Sequence, residues 1–213
     1  MENHLMLTHD ELNVAIGEVA TASGSQDELL RSTMSGLTDV NFSYVLFEGV
    51  SGEQLANSLR AILSEFYHYI EYFGKDSKFK YDPSVPYVER PLVSPNYIAV
   101  NATLAESKTL RELRNNIIHG TWKRVPYATD AGPRPRPWSD KSVKGEDVFY
   151  CNISKLRKMY ANQAFTVSDI KELASRIRAV TSRLSASIRL ALEELADNGV
   201  IEEADPDLLR DWP

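Results

Sequence analysis

Apolar residues recur at helical spacing along most of this chain. From Asp10 to Leu37 the positions Leu12, Ala15, Ile16, Val19, Leu30, Met34 and Leu37 follow the α-helical period. Gly24 interrupts that run at a cost of about 1 kcal/mol relative to alanine. The pattern therefore predicts either one long helix or two with a break near Ser23-Gly24-Ser25. A second apolar stretch covers Val40 to Phe47. Ser51-Gly-Glu-Gln54 has the form of a capping box. It opens a predicted helix through Leu55, Leu59, Ile62, Leu63, Phe66, Tyr69, Ile70 and Phe73, with Gly74 as its stop.

Residues 75 to 95 carry Pro83, Pro86, Pro91 and Pro95, which disfavour helix and central strand, so a loop is expected there. Periodicity resumes from about Asn96 to His119 through Ile98, Ala102, Ala105, Leu113 and Ile117. Lys123 to Asp147 is rich in proline and glycine around Pro133-Arg-Pro-Arg-Pro137 and reads as an exposed excursion. Its flanks, Thr121–Val125 and Val148–Ile153, have the composition of a short hairpin. Thr166-Val-Ser-Asp169 marks another helix start, with Asp169 in the capping-box position. That helix runs through Ile170, Leu173, Ile177, Val180, Leu184, Ile188 and Leu192 to about Asp197, where Gly199 ends it. The expectation is an all-α fold, a bundle of four to five long helices with a loop and short β-hairpin insertion before the last helix. It corresponds to one domain over residues 1–200, with the insertion at about 121–153 and an acidic tail at 201–213.

Length and composition agree with that picture. The chain has 213 residues, 43% of them hydrophobic, enough for a sizeable core. No apolar run of membrane-spanning length occurs, and Met1-Glu-Asn-His-Leu5 lacks the basic and apolar regions of a signal peptide. Cys151 is the single cysteine, so neither a disulfide framework nor a cysteine zinc site is available. These features predict a protein of the reducing cytoplasm, with no membrane association. The net charge of −6 opposes indiscriminate nucleic-acid binding. Charge is uneven, however. Ser107 to Lys144 holds nine basic and three acidic residues, a local +6 that leaves −12 for the rest.

Candidate chemistry concentrates at Leu110-Arg-Glu-Leu-Arg-Asn-Asn-Ile-Ile-His-Gly120. Asn115 and His119 are four apart and share a helix face, so the amide is placed to orient the imidazole. Arg111 and Arg114 are neighbours at three apart. Arg114 and His119 are five apart, about 140° around the helix, a spacing that two chains facing each other would accommodate more easily than one. Arginine offers a planar fork to phosphate oxygens, and histidine can take or give a proton at neutral pH. Together they suit attack of a ribose 2′-hydroxyl on the adjacent phosphodiester, with no metal or other cofactor. The plainer alternative is that a histidine and a glycine are ordinary residues at a helix end.

Leu113-Arg-Asn-Asn-Ile-Ile-His-Gly-Thr-Trp122 resembles the signature of the HEPN superfamily (named for higher eukaryotes and prokaryotes nucleotide-binding), an arginine and a polar residue followed at short range by a histidine. The resemblance implies an all-helical homodimer, with Arg114, Asn115 and His119 as catalytic residues of a metal-independent endoribonuclease of toxin or phage-defence type. It also allows a non-catalytic binding or regulatory module of the same fold. An antitoxin or regulatory protein is an implied partner beside RNA. Thr121 stands where versions controlled by a nucleotidyltransferase antitoxin carry tyrosine, which speaks against that mode of control.

Substrate-binding candidates are Arg111, Lys123, Arg124 and Trp122. Trp122 can stack on a base or pack beneath the hairpin. Arg134 and Arg136 either contact phosphates or solubilise the loop. The aromatic run Phe66 to Phe73 reads as core and contact surface, not as a stacking platform. His4 and His9 lack neighbouring zinc ligands.

Overall fold

The computed structural model describes residues 2–38, 46–73, 94–125, 148–153 and 161–201. The fold is all-α, with four long helices among the described residues: α1 (Glu2–Thr38), α2 (Gly52–Phe73), α3 (Pro95–His119) and α4 (Val167–Asp197). Among the described residues, three short strands lie between α3 and α4: β1 (Thr121–Val125), β2 (Val148–Ile153) and β3 (Ala161–Phe165). The apolar stretch 40–47 lies largely outside the described residues, as do the 75–95 loop up to residue 93, the proline-rich segment 126–147 and the tail beyond residue 201.

Helix boundaries follow local side-chain chemistry. At α2, the Ser51 N–H donates to Gln54 Oε1 at 3.1 Å and the Gln54 N–H donates to Ser51 Oγ at 3.3 Å. At α4 the same reciprocal box is buried, with the Thr166 N–H donating to Asp169 Oδ2 (2.8 Å) and the Asp169 N–H to Thr166 Oγ1 (3.1 Å). Pro95 takes the first turn of α3, where its missing N–H costs nothing, and Ser94 Oγ accepts from the Tyr97 N–H. Helix α4 ends in a Schellman motif: Gly199 adopts φ 67°, its N–H donates to Ala196 O, and the Val200 N–H donates to Leu195 O.

Helix α1 runs unbroken through Gly24 and begins at Glu2, earlier than the periodicity indicates. Leu12, Ala15, Val19 and Ala22 are buried before the glycine, and Leu29, Leu30 and Met34 after it. Burial of that order, roughly 1.5–3 kcal/mol for a large aliphatic side chain, outweighs the helical cost of one glycine.

The chain forms two compact units. One comprises Ser25–Lys108 and Ala179–Pro213. Its core gathers Leu29, Leu30 and Met34 with Leu55, Leu59, Leu63 and Tyr67 of α2, Val100 and Leu104 of α3, and Leu184, Ile188 and Leu195 of α4. Ser107, Gln26 and Thr181 form a polar chain there: the Ser107 hydroxyl donates to Gln26 Oε1 (2.8 Å), and Gln26 Nε2 donates to Thr181 Oγ1 (3.2 Å). Glu194 Oε2 accepts from the Tyr67 hydroxyl, the Ser94 hydroxyl and Asn96 Nδ2 at 2.8–2.9 Å. The aromatic run of α2 thus supplies core at Tyr67 and leaves Tyr69 exposed.

The other unit comprises Met1–Gly24 and Thr109–Arg178 and contains the candidate site. Its sheet has the order β1-β2-β3, antiparallel throughout. β1 pairs with β2 from Thr121↔Asn152 to Val125↔Val148, the two flanks singled out in the sequence. β3 extends the pair into a three-stranded sheet, with Phe149 opposite Phe165. Phe149, Cys151 and Phe165 are fully buried in this unit, as are Leu12, Val19, Leu110, Ile117, Ile170 and Leu173.

Candidate functional site

The last turns of α3 are oriented by two buried anchors, Leu110 and Ile117, seven residues apart on one face. That orientation leaves Asn115 and His119 exposed and Arg111 and Arg114 half-buried at the flanks. All four belong to the same compact unit. His119 is the final residue of the helix.

Asn115 behaves differently from the expectation based on its spacing. Its Oδ1 accepts from Arg114 Nη1 at 3.0 Å. The amide oxygen thus braces the guanidinium of the preceding residue, and no such bond to the imidazole is seen. The long arginine side chain makes this pairing of consecutive residues feasible, although their Cβ atoms diverge by about 100° on the helix. Arg111 lies one turn before Arg114 with its side chain half-buried.

Beyond His119 the chain reverses at once into β1. The indole N–H of Trp122 donates to the backbone carbonyl of Ile117 at 3.1 Å. The Cys151 thiol donates to the carbonyl of Asn116 at 3.0 Å. Both acceptors belong to the last turn of the helix. The sheet therefore caps the helix end through side chains of β1 and β2, and Trp122 and Cys151 face each other in the ladder.

Gly120 stands just past the helix end, as the sequence pattern indicates, but not as a left-handed stop. It follows the helix but does not take the left-handed conformation of a C′ glycine, which among the described residues is seen at Gly49 and Gly199. A methyl group at Gly120 would overlap Cys151 Sγ and lie 2.5 Å from Asn116 O. Glycine is needed here for close approach of β2 to the helix end, not for a positive φ.

Trp122 is half-buried, and its ring meets Phe165 edge-on at a centroid separation of 5.6 Å. Of the two roles open to it, stacking on a base or packing beneath the strands, the geometry supports packing. Lys123 and Arg124 lie in β1 opposite Tyr150 and Phe149, and their side chains are outside the described part of the structure. Arg134 and Arg136 also lie outside it. Cys151 was not anticipated as a contributor, although the alternation Phe149-Tyr-Cys151 on a predicted strand places it on the face shared with Phe149. Burial pushes its thiol up to about 11, so near neutral pH it keeps the proton that it donates to Asn116.

Among the described residues, no three His, Cys, Asp or Glu side chains gather in a way that could hold a metal ion, and no helix is long and apolar enough to cross a membrane. No family model, curated protein or solved structure matches the chain.

Proposed function

We propose that this chain is an endoribonuclease that cleaves RNA by attack of the 2′-hydroxyl on the adjacent phosphodiester, without a metal or other cofactor. The observation that carries the proposal is the end of α3, where an exposed imidazole at His119 follows a guanidinium at Arg114 braced by Asn115. In this reading His119 takes the 2′ proton or returns one to the 5′ oxygen as that bond breaks. The products are a 2′,3′-cyclic phosphate and a 5′-hydroxyl. Arg114 donates N–H bonds to the phosphate oxygens as charge builds on them. Asn115 holds that guanidinium ready, a role different from orienting His119. Arg111, Lys123 and Arg124 supply further positive charge for the RNA backbone.

The HEPN resemblance supports the same reading and adds a homodimer with the two motifs facing each other. It makes the protein a toxin or defence nuclease, held in check by an antitoxin or regulatory protein, and the single cysteine fits a reducing cytoplasm. A second reading draws on the net charge of −6 and on the capped helix end, which accounts for Gly120 and Trp122 without a substrate. It makes the chain a non-catalytic module that binds RNA or a protein partner.

The deciding experiment incubates a mixed RNA pool with purified wild type, Arg114→Ala and His119→Ala in the presence of a chelator. Cleavage by the wild type alone, with cyclic phosphate ends, is the expected result. Equal cleavage by His119→Ala removes that residue from the mechanism. Intact RNA with a folded wild type selects the binding module.

A further inference from the structure

We infer that Trp122 and Cys151 are positioning residues for His119, acting through the two backbone carbonyls that they cap, a proposal that takes the nuclease reading for its chemistry. His119 is the terminal residue of α3, where a helix ordinarily frays because its last four carbonyls lack partners. Here two side chains from the sheet donate to carbonyls of that last turn. Trp122 Nε1 reaches back five residues to Ile117 O, and Cys151 Sγ reaches across from β2 to Asn116 O. These acceptors lie two and three residues before the histidine.

The clamp is itself held. The Trp122 ring packs on Phe165, Phe165 pairs with Phe149 in the sheet, and Cys151 lies opposite Trp122. Gly120 permits the close approach that brings Cys151 to Asn116. The imidazole is exposed, so the terminal turn of backbone is what sets its position relative to Arg114. A reacting group displaced by about 1 Å can cost on the order of a hundredfold in rate. The indole three residues after the histidine thus serves geometry rather than contact with a base.

Trp122→Phe keeps a ring against Phe165 and removes only the N–H donor. Cys151→Ala removes the second donor, and Cys151→Ser restores one. Two readouts apply to each variant. The first is the His119 ring-carbon proton resonance, assigned by its absence in His119→Gln. The second is the split between kcat and KM for RNA cleavage. The expected result for Trp122→Phe is a displaced His119 resonance and a fall in kcat of about tenfold to a hundredfold, with KM little changed. Cys151→Ser should recover what Cys151→Ala loses. An unmoved resonance overturns the proposal, and so does a loss confined to KM, which would place Trp122 on the RNA. If Trp122→Phe fails to fold, the Cys151 pair decides alone. If folded wild type cuts no RNA, the nuclease reading fails, and the His119 resonance still decides whether the clamp positions the imidazole.

Discussion

The Cys151 thiol and the Asn116 carbonyl meet at 3.0 Å across 35 residues of sequence, joining the middle strand of the sheet to the last turn of α3. An S–H donor is weak, so this bond adds little to overall stability, whatever it does for the placement of the helix end. Its consequence is steric. It brings β2 so near the helix end that the residue between them has no room for a side chain.

Gly120→Ala should therefore destabilise the protein by about 1–3 kcal/mol, the usual cost of overpacking a filled site. The added methyl overlaps Cys151 Sγ and also crowds Asn116 O at 2.5 Å. Adding Cys151→Ala relieves the first clash and leaves the second, so the double variant should recover part of the loss. Urea denaturation of the two single variants and the double variant measures this coupling. Strictly additive losses would show that Gly120 and Cys151 do not share the space assigned to them.

The two capping boxes should differ in worth. Ser51 and Gln54 are exposed, and water can replace each of their bonds. Thr166 and Asp169 are buried, and removing one partner strands the other. Ser51→Ala should cost about 0.5–1 kcal/mol and Thr166→Ala about 2 kcal/mol. Thermal or urea unfolding of the two variants checks the order. Equal losses would mean that burial adds nothing to the second box.

Both boxes, and the Gly199 stop, were legible in the sequence because each joins residues within a few positions of one another. The β1–β2 pairing was legible for a related reason, since both strands flank one excursion and carry strand-forming residues. β3 was not. Ala161-Asn-Gln-Ala-Phe165 holds one large apolar residue, and its strand character comes from pairing with β2. In the candidate site, helical spacing correctly put Asn115 and His119 together on an exposed face. It could not show that the amide turns to Arg114, because that choice depends on rotamers of a long side chain. The Gly120 contact was equally out of reach, being set by a cysteine 31 positions away.

Gly17 and Gly24 present the opposite case from Gly120. Both lie within α1, neither has a positive φ, and among the described residues a methyl group on either meets nothing within 4 Å. Gly17→Ala and Gly24→Ala should each stabilise the protein by roughly 0.5–1 kcal/mol, through helix propensity and a less free unfolded chain. The pair should be close to additive, being two turns apart on an exposed face. A shift in the denaturation midpoint at constant slope is the expected signature. A loss of stability on either substitution would reveal that some other surface requires a bare backbone there.

Cys151 should also leave its mark on stability at alkaline pH. Burial raises its thiol from the ordinary 9.0 to about 11 in the folded protein. Between those values the unfolded chain has given up a proton that the folded chain still holds, so rising pH favours unfolding. The thiol's contribution is complete below about 9 and is lost as pH climbs through about 11. Tyr67 acts in the same direction: burial, and then its bond to Glu194, push its hydroxyl well above the usual range. Cys151→Ser keeps a donor at the position but does not titrate in this window. Denaturation at intervals from pH 8 to 11 should show wild type falling more steeply than Cys151→Ser, with the slope that remains in the variant belonging in part to Tyr67. Parallel curves for the two proteins would mean that the thiol is not shielded as its burial implies, and the close contact with Asn116 would lose its physical basis.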